Sequence, residues 1–165
     1  MVTPYAALRV GRPGLAAVLP ELLIGEYPTP DDFEWLARTH GVTAIVNLQD
    51  EYDLAKKNLR AADLAAGCHA HGVAFHHLPV TDGDFDSLTA QLPTLVALLG
   101  HLMDGGARIY LHCNAGTNRA PTVAIAYLHA ARGFTLDEAE RHVKTRRACV
   151  PYTDVLREHF AGPRG

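Results

Sequence analysis

The chain has 165 residues, of which 48% are hydrophobic and 20% are charged, and its formal net charge is −3. This length and composition predict one globular domain with a substantial core. The charge balance shows no basic excess of the kind that binds nucleic acid or acidic membrane surfaces. We therefore expect neither nucleic acid nor a membrane as a partner.

The cysteines and histidines argue against a disulfide framework and against a metal site. Cys68, Cys113 and Cys149 are an odd number without CxxC spacing. The ten histidines form no HExxH motif and no Cys/His quartet with zinc-ligand spacing. No signal peptide or membrane span is visible. We expect no metal or other cofactor, and a location in the reducing cytoplasm.

The predicted elements begin after an irregular N-terminal arm over residues 1–20, which contain three prolines and two glycines. A single domain is predicted over residues 21–162. Its first element, residues 21–25, is a short apolar run closed by glycine and followed by prolines, which is typical of an edge strand. A short amphipathic helix should start at Thr29 or Asp31 and end before Gly41.

The middle of the chain predicts two strands and one helix. Residues 42–48 are β-branched and mostly apolar, which favours a central strand covered on both faces. Residues 53–66 have a helical pattern that ends at Gly67, and residues 73–78 form a third strand-like segment.

The second half of the chain contains one more strand and four helical patterns. Their predicted ranges are 87 or 88 to 103, 107–111, 120–132, 135 to 145 or 147, and 153–160. Thr135 and Glu138 have the spacing of a capping box at the start of a helix. Strands that alternate with helices predict an α/β fold in which helices flank a central, largely parallel sheet.

The segment from His112 to Pro121 joins the strand at 107–111 to the helix at 120–132. A loop at a helix N-terminus offers backbone N–H groups to an anion. These groups and Arg119 would stabilise a reactive Cys113 thiolate, and the Arg119 guanidinium matches two oxygens of a phosphoryl group. The predicted phosphate-binding residues are Asn114, Ala115, Gly116, Thr117, Asn118 and Arg119.

His112, Cys113, Gly116 and Arg119 match HCxxGxxR, the signature of the cysteine-dependent phosphatases. Over residues 22–160 the chain resembles the dual-specificity class of that family. The resemblance implies the family fold, with Cys113 as the nucleophile that attacks phosphorus and Arg119 as the clamp on the phosphoryl oxygens, supported by His112. It also implies an aspartate on an upstream loop, which protonates the leaving oxygen and then activates water.

Three aspartates compete for the role of this acid. In the family the aspartate follows the strand that precedes the long helix, which favours Asp82. Asp84 is the second candidate, and Asp86 has the position of a helix cap. Asp82 could instead shape a turn with Gly83.

One departure from the family pattern follows the signature directly. Many members carry Ser or Thr after the arginine, and that hydroxyl is thought to help the cysteine thiolate leave in the second step. This chain has Ala120, and Thr122 is predicted to lie too far along the helix to replace the hydroxyl. We therefore hypothesise slow breakdown of the phosphocysteine intermediate.

The resemblance implies a phosphatase for phosphate monoesters, with phosphorylated Tyr, Ser or Thr in proteins as the first substrate class. A weaker similarity connects residues 82–86, the loop HCNAG and residues 147–151 with the glucan phosphatase branch. That branch usually carries aromatic residues where this chain has Gly83 and Val150. Glucan binding would then depend on other aromatic residues, namely Trp35, Tyr52, Phe85 or Tyr152.

Three other functions are less favoured. The neutral side chains of Asn114, Thr117 and Asn118 argue against phosphoinositides and inositol polyphosphates, because phosphatases for these substrates tend to carry extra lysines in the loop. A non-catalytic phosphate-binding module would not need both Cys113 and Asp82. A redox enzyme would need Cys68 or Cys149 to approach Cys113 in the fold. The sequence leaves the oligomeric state open.

Overall fold

The computed structural model describes residues 11–162, and its centre is a five-stranded sheet. The strands are β1 (Leu15–Leu19), β2 (Leu22–Gly25), β3 (Ala44–Asn47), β4 (Ala74–His77) and β5 (Ile109–His112). Their order across the sheet is β1-β2-β5-β3-β4. β1 is antiparallel to β2, and the other three pairings are parallel. The predicted largely parallel sheet is confirmed.

Helices cover both faces of the sheet. They are α1 (Phe33–His40), α2 (Glu51–Lys56), α3 (Ala61–Ala70), α4 (Phe85–Asp104), α5 (Arg119–Arg132), α6 (Leu136–Arg146) and α7 (Thr153–Ala161). Tyr110 packs with α1, α2 and α3, whereas its neighbours Ile109 and Leu111 pack with α4 to α7. Successive strand residues face opposite sides, so β5 contributes to both cores. No helix within residues 11–162 is long and apolar enough to cross a membrane.

The prediction of an irregular arm is wrong for its last residues. Residues 15–19 form β1, which pairs with β2 through a short connection at Pro20 and Glu21. Pro13 and Pro20 flank this apolar run without interrupting it, so its backbone is free to form ladder hydrogen bonds. As a result β2 is an interior strand and not the predicted edge strand. Residues 1–10 of the arm lie outside the described part of the chain.

The single helix predicted over residues 53–66 is also wrong. The structure has two helices there, α2 and α3, and Asn58 between them adopts a left-handed backbone conformation with φ +55°. Gly67 does not end a helix but lies inside α3, where a Cβ atom would stand 2.9 Å from Cε2 of the Phe33 ring. The glycine therefore allows α3 to pack closely against α1.

The capping prediction at Thr135 is confirmed. The Thr135 side chain accepts a hydrogen bond from the backbone N–H of Glu138, and the Glu138 side chain accepts one from the backbone N–H of Thr135. These bonds satisfy two N–H groups that a helix start leaves without intrahelical partners.

Candidate active site

The candidate site lies at the carboxyl edge of the three parallel strands in the middle of the sheet. β5 ends at His112, and its neighbours β2 and β3 end beside it at Gly25 and Asn47. The chain then forms the loop 113–118 and enters α5 at Arg119. In open α/β sheets, ligands bind at this edge of the strands.

The loop encloses a small cavity of about 60 Å³. Its lining brings together most of the residues predicted from the sequence: Asp82, Cys113, Asn114, Ala115, Thr117, Asn118 and Arg119. Cys113 is only 2% exposed, so access to its thiol is through this opening. The structure therefore brings a thiol, a guanidinium and a carboxylate together around one small space.

Gly116 and His112 lie in or beside the loop without lining the cavity. Gly116 has φ +68°, and a Cβ atom there would stand 2.5 Å from the carbonyl carbon of Gly25. The glycine thus lets the loop pass close to the end of β2. His112 is buried, its ring stacks on Tyr110, and its Nδ1 lies 3.0 Å from the carbonyl oxygen of Cys113. His112 thus contacts the first residue of the loop from a buried position.

Arg119 is 2% exposed and held by two hydrogen bonds. Its Nη1 donates to Asp53 Oδ2 at 2.7 Å and to the carbonyl oxygen of Val80 at 2.8 Å. Burial opposes the charged form, but the hydrogen bond to Asp53 and the charges of Cys113 and Asp53 outweigh it and raise the pKa of Arg119. The guanidinium is a fixed cation at the cavity.

Asp53 is the site residue that sequence reasoning missed. It is 6% exposed, and besides Arg119 it accepts hydrogen bonds from Asn114 Nδ2 at 2.8 Å and from the backbone N–H of Asp50 at 3.0 Å. Burial alone would raise its pKa, but the bonds to Arg119, Asp50 and Asn114 lower it overall. The spacing of Asp50 and Asp53 signals a helix start, but no local pattern signals a partner at Arg119.

The three candidate acids occupy different environments. The Asp82 side chain is 55% exposed and borders the cavity. Its Oδ1 lies 3.7 Å from Arg119 Nε and accepts a hydrogen bond from the Tyr152 hydroxyl at 3.3 Å. Asp84 caps α4 by accepting from the backbone N–H of Ser87 at 3.0 Å. The prediction that Asp86 is the cap is wrong, because α4 begins at Phe85 and Asp86 lies in its first turn.

Ala120 and Thr122 differ in their surroundings. Ala120 is fully buried in the core between the sheet and the helices α4 to α7. Thr122 is also buried, and its hydroxyl donates to the carbonyl oxygen of Asn118 at 2.6 Å and accepts from the backbone N–H of Tyr152 at 2.8 Å. The bond from Tyr152 ties α5 to the segment before α7, whereas the bond to Asn118 lies within the start of α5.

A larger cavity of about 470 Å³ adjoins the small one and shares Asp82 and Asn114 with it. Its other lining residues are Asp50, Tyr52, Asp53, Lys56, Lys57 and Thr81. Tyr52 is 66% exposed, and the exposed Phe85 contacts Tyr152 edge to face, with ring centroids 5.0 Å apart. Trp35 instead lies in α1, contacts His40 and packs against the core on the face of the sheet that α1 to α3 cover.

The other two cysteines differ from Cys113 in position. Cys68 is fully buried in the core under α1, α2 and α3, and burial raises its pKa to about 12. Cys113 belongs to the core on the other face of the sheet. Cys149 is half-buried, and burial is the main reason that its pKa is raised. Within residues 11–162, no cluster of three or more His, Cys, Asp or Glu side chains is arranged to hold a metal ion.

Solved structures that are similar in fold include phosphatases. The chain superposes on Tk-PTP in its active form with a TM-score of 0.76, at 24% identity, over 90% of this chain and 97% of that one. It superposes on PTPMT1 with a TM-score of 0.75, at 20% identity, over 90% and 94% of the two chains. At such identities these likenesses show the fold. Human DUSP28 is similar at 27% identity with a TM-score of 0.67, over 92% of this chain and 95% of that one.

Curated relatives include phosphoglucan and dual-specificity phosphatases. Phosphoglucan phosphatase DSP4 of Castanea sativa is 31% identical over 87% of this chain and 39% of its own length. Mouse laforin is 25% identical over 81% and 44%, and human dual specificity protein phosphatase 5 is 28% identical over 83% and 32%. The chain thus spans less than half of each relative.

The family model of the dual specificity phosphatase catalytic domain matches residues 24–158. This range contains the loop 113–118, Arg119, Asp53 and Asp82, which together form the site described above. The chain therefore belongs to the dual-specificity phosphatase family.

Proposed function

We propose that this chain hydrolyses phosphate monoesters through a phosphocysteine intermediate. The observation that carries the proposal is the single small cavity bordered by Cys113, Arg119 and Asp82. In this mechanism Cys113 acts as the thiolate, which is the nucleophilic form of cysteine, with the Arg119 cation and the loop N–H groups beside it.

In the first step the substrate phosphate occupies the small cavity, with its oxygens on the loop N–H groups and on Arg119. The Cys113 thiolate attacks phosphorus, an S–P bond forms and the P–O bond to the substrate breaks. Asp82 gives its proton to the leaving oxygen, so the product leaves as a neutral alcohol. General acid help of this kind contributes about 10²–10⁴ in rate.

In the second step the Asp82 carboxylate accepts a proton from a water molecule that attacks phosphorus. The S–P bond breaks, orthophosphate forms and Cys113 returns to its thiolate. Arg119 stabilises the negative charge on the phosphoryl oxygens in both transition states, and Asp53 holds its guanidinium in place.

For the substrate class we propose phosphorylated Tyr, Ser and Thr in proteins. Similarity to human dual specificity protein phosphatase 5 supports this proposal. The neutral side chains of Asn114, Thr117 and Asn118 also fit a substrate that brings one phosphate to the loop.

A phosphorylated glucan is the second candidate, and the 470 Å³ cavity favours it. That cavity adjoins Asp82, where the leaving group must lie, and its lining is rich in hydrogen-bonding groups with the exposed Tyr52 ring at its edge. A polyhydroxylated group suits such a surface, since sugar hydroxyls need donors and acceptors and sugar faces pack on aromatic rings. Similarity to phosphoglucan phosphatase DSP4 also supports this alternative.

The activity is tested by hydrolysis of a small aryl phosphate by the wild type and by Cys113→Ser, Arg119→Ala and Asp82→Ala. We expect no turnover by Cys113→Ser, a deep loss in Arg119→Ala and a kcat about 10²–10⁴ lower in Asp82→Ala. Asp84→Ala is the matched control: it should lose about 1 kcal/mol of stability as a removed helix cap and keep the wild-type kcat. Activity that survives Cys113→Ser would refute the proposal.

The substrate class is tested by comparing kcat/KM of the wild type for a phosphopeptide and for a phosphorylated polyglucan. We expect the phosphopeptide to be preferred. Preference for the polyglucan, lost in Tyr52→Ala, would instead establish the second candidate.

We also infer that the protein works in a reducing compartment, the cytoplasm. Cys68, Cys113 and Cys149 are all free thiols, and the mechanism needs Cys113 reduced. Fractionation of cells that express the tagged protein tests this inference, and recovery in a secreted fraction would contradict it.

A further inference from the structure

Arg147 contacts the phosphate-binding loop from outside the cavity. Its Nε donates to the carbonyl oxygen of Gly116 at 2.9 Å, and its Nη2 donates to the carbonyl oxygen of Ala115 at 2.8 Å. The guanidinium therefore bonds two consecutive carbonyls of the loop through one edge. Arg147 directly follows α6, where its backbone N–H donates to the carbonyl oxygen of Val143 at 3.0 Å and fixes its position.

The carbonyls on either side of this pair are bonded as well. The carbonyl oxygen of Asn114 accepts from the backbone N–H of Tyr27 at 2.8 Å. The carbonyl oxygen of Thr117 accepts from the backbone N–H of Val150 at 2.8 Å. Four consecutive loop carbonyls, from 114 to 117, thus have partners on segments around the loop.

This pattern orients the loop N–H groups. In a planar trans peptide the C=O and N–H bonds point in opposite directions. When the carbonyls of residues 114–117 bond to surrounding segments, the N–H groups of residues 115–118 point the other way, towards the cavity that these residues enclose. Successive backbone N–H groups that converge in this way form an anion-binding nest.

The contact between Arg147 and the loop is close. A Cβ atom at Gly116 would stand 2.8 Å from Arg147 Nη2, so the guanidinium fills the space that the glycine leaves. A guanidinium carries its donors in a rigid planar fork, whereas a lysine ammonium is a single point donor on a flexible stem. One arginine can therefore fix two peptide planes at once, and a lysine cannot.

We infer that Arg147 is a positioning residue for the phosphate-binding loop, which holds two of its peptide planes so that their N–H groups face the phosphate. This inference rests on the proposed function for its catalytic consequence, but its effect on phosphate binding does not need turnover. Arg147 acts through the loop backbone and does not touch the reacting atoms.

The test compares Arg147→Ala, Arg147→Lys and the control Arg146→Ala. Arg146 is the adjacent arginine, and its Nη1 bonds to the carbonyl oxygen of His142 and to the Thr145 hydroxyl in its own helix. Titration calorimetry with inorganic phosphate gives the affinity of each protein, and aryl phosphate hydrolysis gives kcat and KM. All are measured well below the melting temperature of each variant.

We expect Arg147→Ala to bind inorganic phosphate about tenfold more weakly, because the N–H donors of the loop turn away from the phosphate. For the same reason kcat/KM should fall about 10- to 100-fold, through both kcat and KM. Arg147→Lys should lie between Arg147→Ala and wild type, and Arg146→Ala should match wild type. If Arg147→Ala does not fold, the test uses Arg147→Lys, which should bind inorganic phosphate more weakly than Arg146→Ala does and have a lower kcat/KM.

Two outcomes would overturn the inference. One is an Arg147→Ala protein that melts earlier but binds phosphate and turns over as the wild type does, which is what a merely structural arginine would show. The other is an equal loss in Arg146→Ala. A wild type that binds phosphate in an Arg147-dependent way without turning over aryl phosphate would refute the proposed function and leave this inference standing.

Discussion

Asp53 joins three parts of the site through one carboxylate: the start of α2, the amide of Asn114 and the guanidinium of Arg119. In Asp53→Asn we expect a loss of about 3 kcal/mol in the free energy of unfolding, because a buried cation loses its charged partner. We also expect kcat/KM to fall about 10²-fold as Arg119 loses its position. Denaturant unfolding and aryl phosphate kinetics measure both effects. Asp63→Asn, an exposed site on α3, should change neither quantity.

The lowered pKa of Asp53 also predicts a pH dependence of stability. A carboxyl group whose pKa is lower in the folded state than in the unfolded state stabilises the fold above its unfolded-state pKa. The stability difference between wild type and Asp53→Asn should therefore be full above about pH 5. It should shrink as the pH falls below the ordinary value of 3.8 and through the lowered folded-state pKa. A difference that stays constant across this acid range would contradict the assigned ion pair.

Ala120 bears on the second chemical step. If the missing hydroxyl slows the departure of the Cys113 thiolate, wild type should release about one equivalent of phenol in a fast burst before a slower steady state. Ala120→Ser should raise the steady-state rate and shrink the burst. Ala124→Ser, the same change about one turn further along α5, is the control that should leave the burst intact. A wild type without a burst would contradict slow dephosphorylation.

At the residue scale, local patterns were enough to place the Cys113 thiol and the Arg119 guanidinium at one site. Cys113 begins the loop, and Arg119 follows six positions later at the start of α5. One strand-loop-helix segment therefore brings the two residues together. Asp53 lies 66 positions before Arg119, and Arg147 lies 31 positions after Gly116. Such partners meet only through tertiary packing, which no single stretch of sequence encodes.

At the scale of elements, the path of the loop 113–118 past the end of β2 leaves no room for a side chain at Gly116. Gly116→Ala would place a Cβ atom 2.5 Å from the carbonyl carbon of Gly25 and 2.8 Å from Arg147 Nη2, in addition to straining a φ of +68°. We expect the loop to shift, with loss of inorganic phosphate binding and a fall in kcat/KM of about 10² or more.

Gly106→Ala is the control for Gly116→Ala. Gly106 has φ +86°, and among the described residues, apart from the glycine and its two chain neighbours, no heavy atom lies within 4 Å of a Cβ atom placed there. Both variants should lose about 1–2 kcal/mol of stability from left-handed backbone strain, but only Gly116→Ala should lose phosphate affinity in calorimetry. Unchanged phosphate binding by Gly116→Ala would show that the close approach is not needed.

A glycine stop signal predicted two helix ends correctly, but the same signal at Gly67 was misleading, because Gly67 lies inside α3. Gly41 and Gly133, both with positive φ, end α1 and α5 where the sequence indicated. The start of α4 was misplaced because Asp84 and Asp86 are equivalent as caps in sequence, and only the side-chain bond from Asp84 to Ser87 N distinguishes them. The strand β1 was missed because its five residues gain stability only by pairing with β2.

At the scale of the whole molecule, the sheet separates two cores and with them two cysteines. Cys68 lies under α1 to α3 with a pKa of about 12, whereas Cys113 lies on the other face. Near neutral pH we expect iodoacetamide to leave Cys68 unmodified in the folded protein and to alkylate it only after unfolding. Peptide mass spectrometry measures the modification.

The same arrangement predicts that peroxide forms no disulfide between Cys68 and Cys113 in the folded protein. A Cys68–Cys113 disulfide, or alkylation of native Cys68 as fast as that of Cys113, would contradict the separation. Such a result would also reopen the redox function considered from the sequence.

The overall α/β architecture followed from the sequence, since alternating strand and helix patterns allow few arrangements. Which helix covers which face of the sheet did not follow. The patterns of α3 and α4 indicate which residues share a helix face, but not against which face of the sheet that helix packs. The extent of one domain over residues 21–162 stays a prediction, and the substrate class stays a proposal. The glucan alternative uses Tyr52, whose exposure only the fold reveals.

The most direct test of the proposed chemistry is a search for the phosphoryl group on Cys113. Wild type and Asp82→Ala are mixed with aryl phosphate, quenched in acid within the first turnover and analysed by peptide mass spectrometry. We predict one phosphoryl group on the peptide that contains Cys113, and none on Cys113→Ser. Full turnover by wild type with no phosphoryl group on Cys113 at any quench time, together with activity in Cys113→Ser, would contradict the phosphocysteine mechanism.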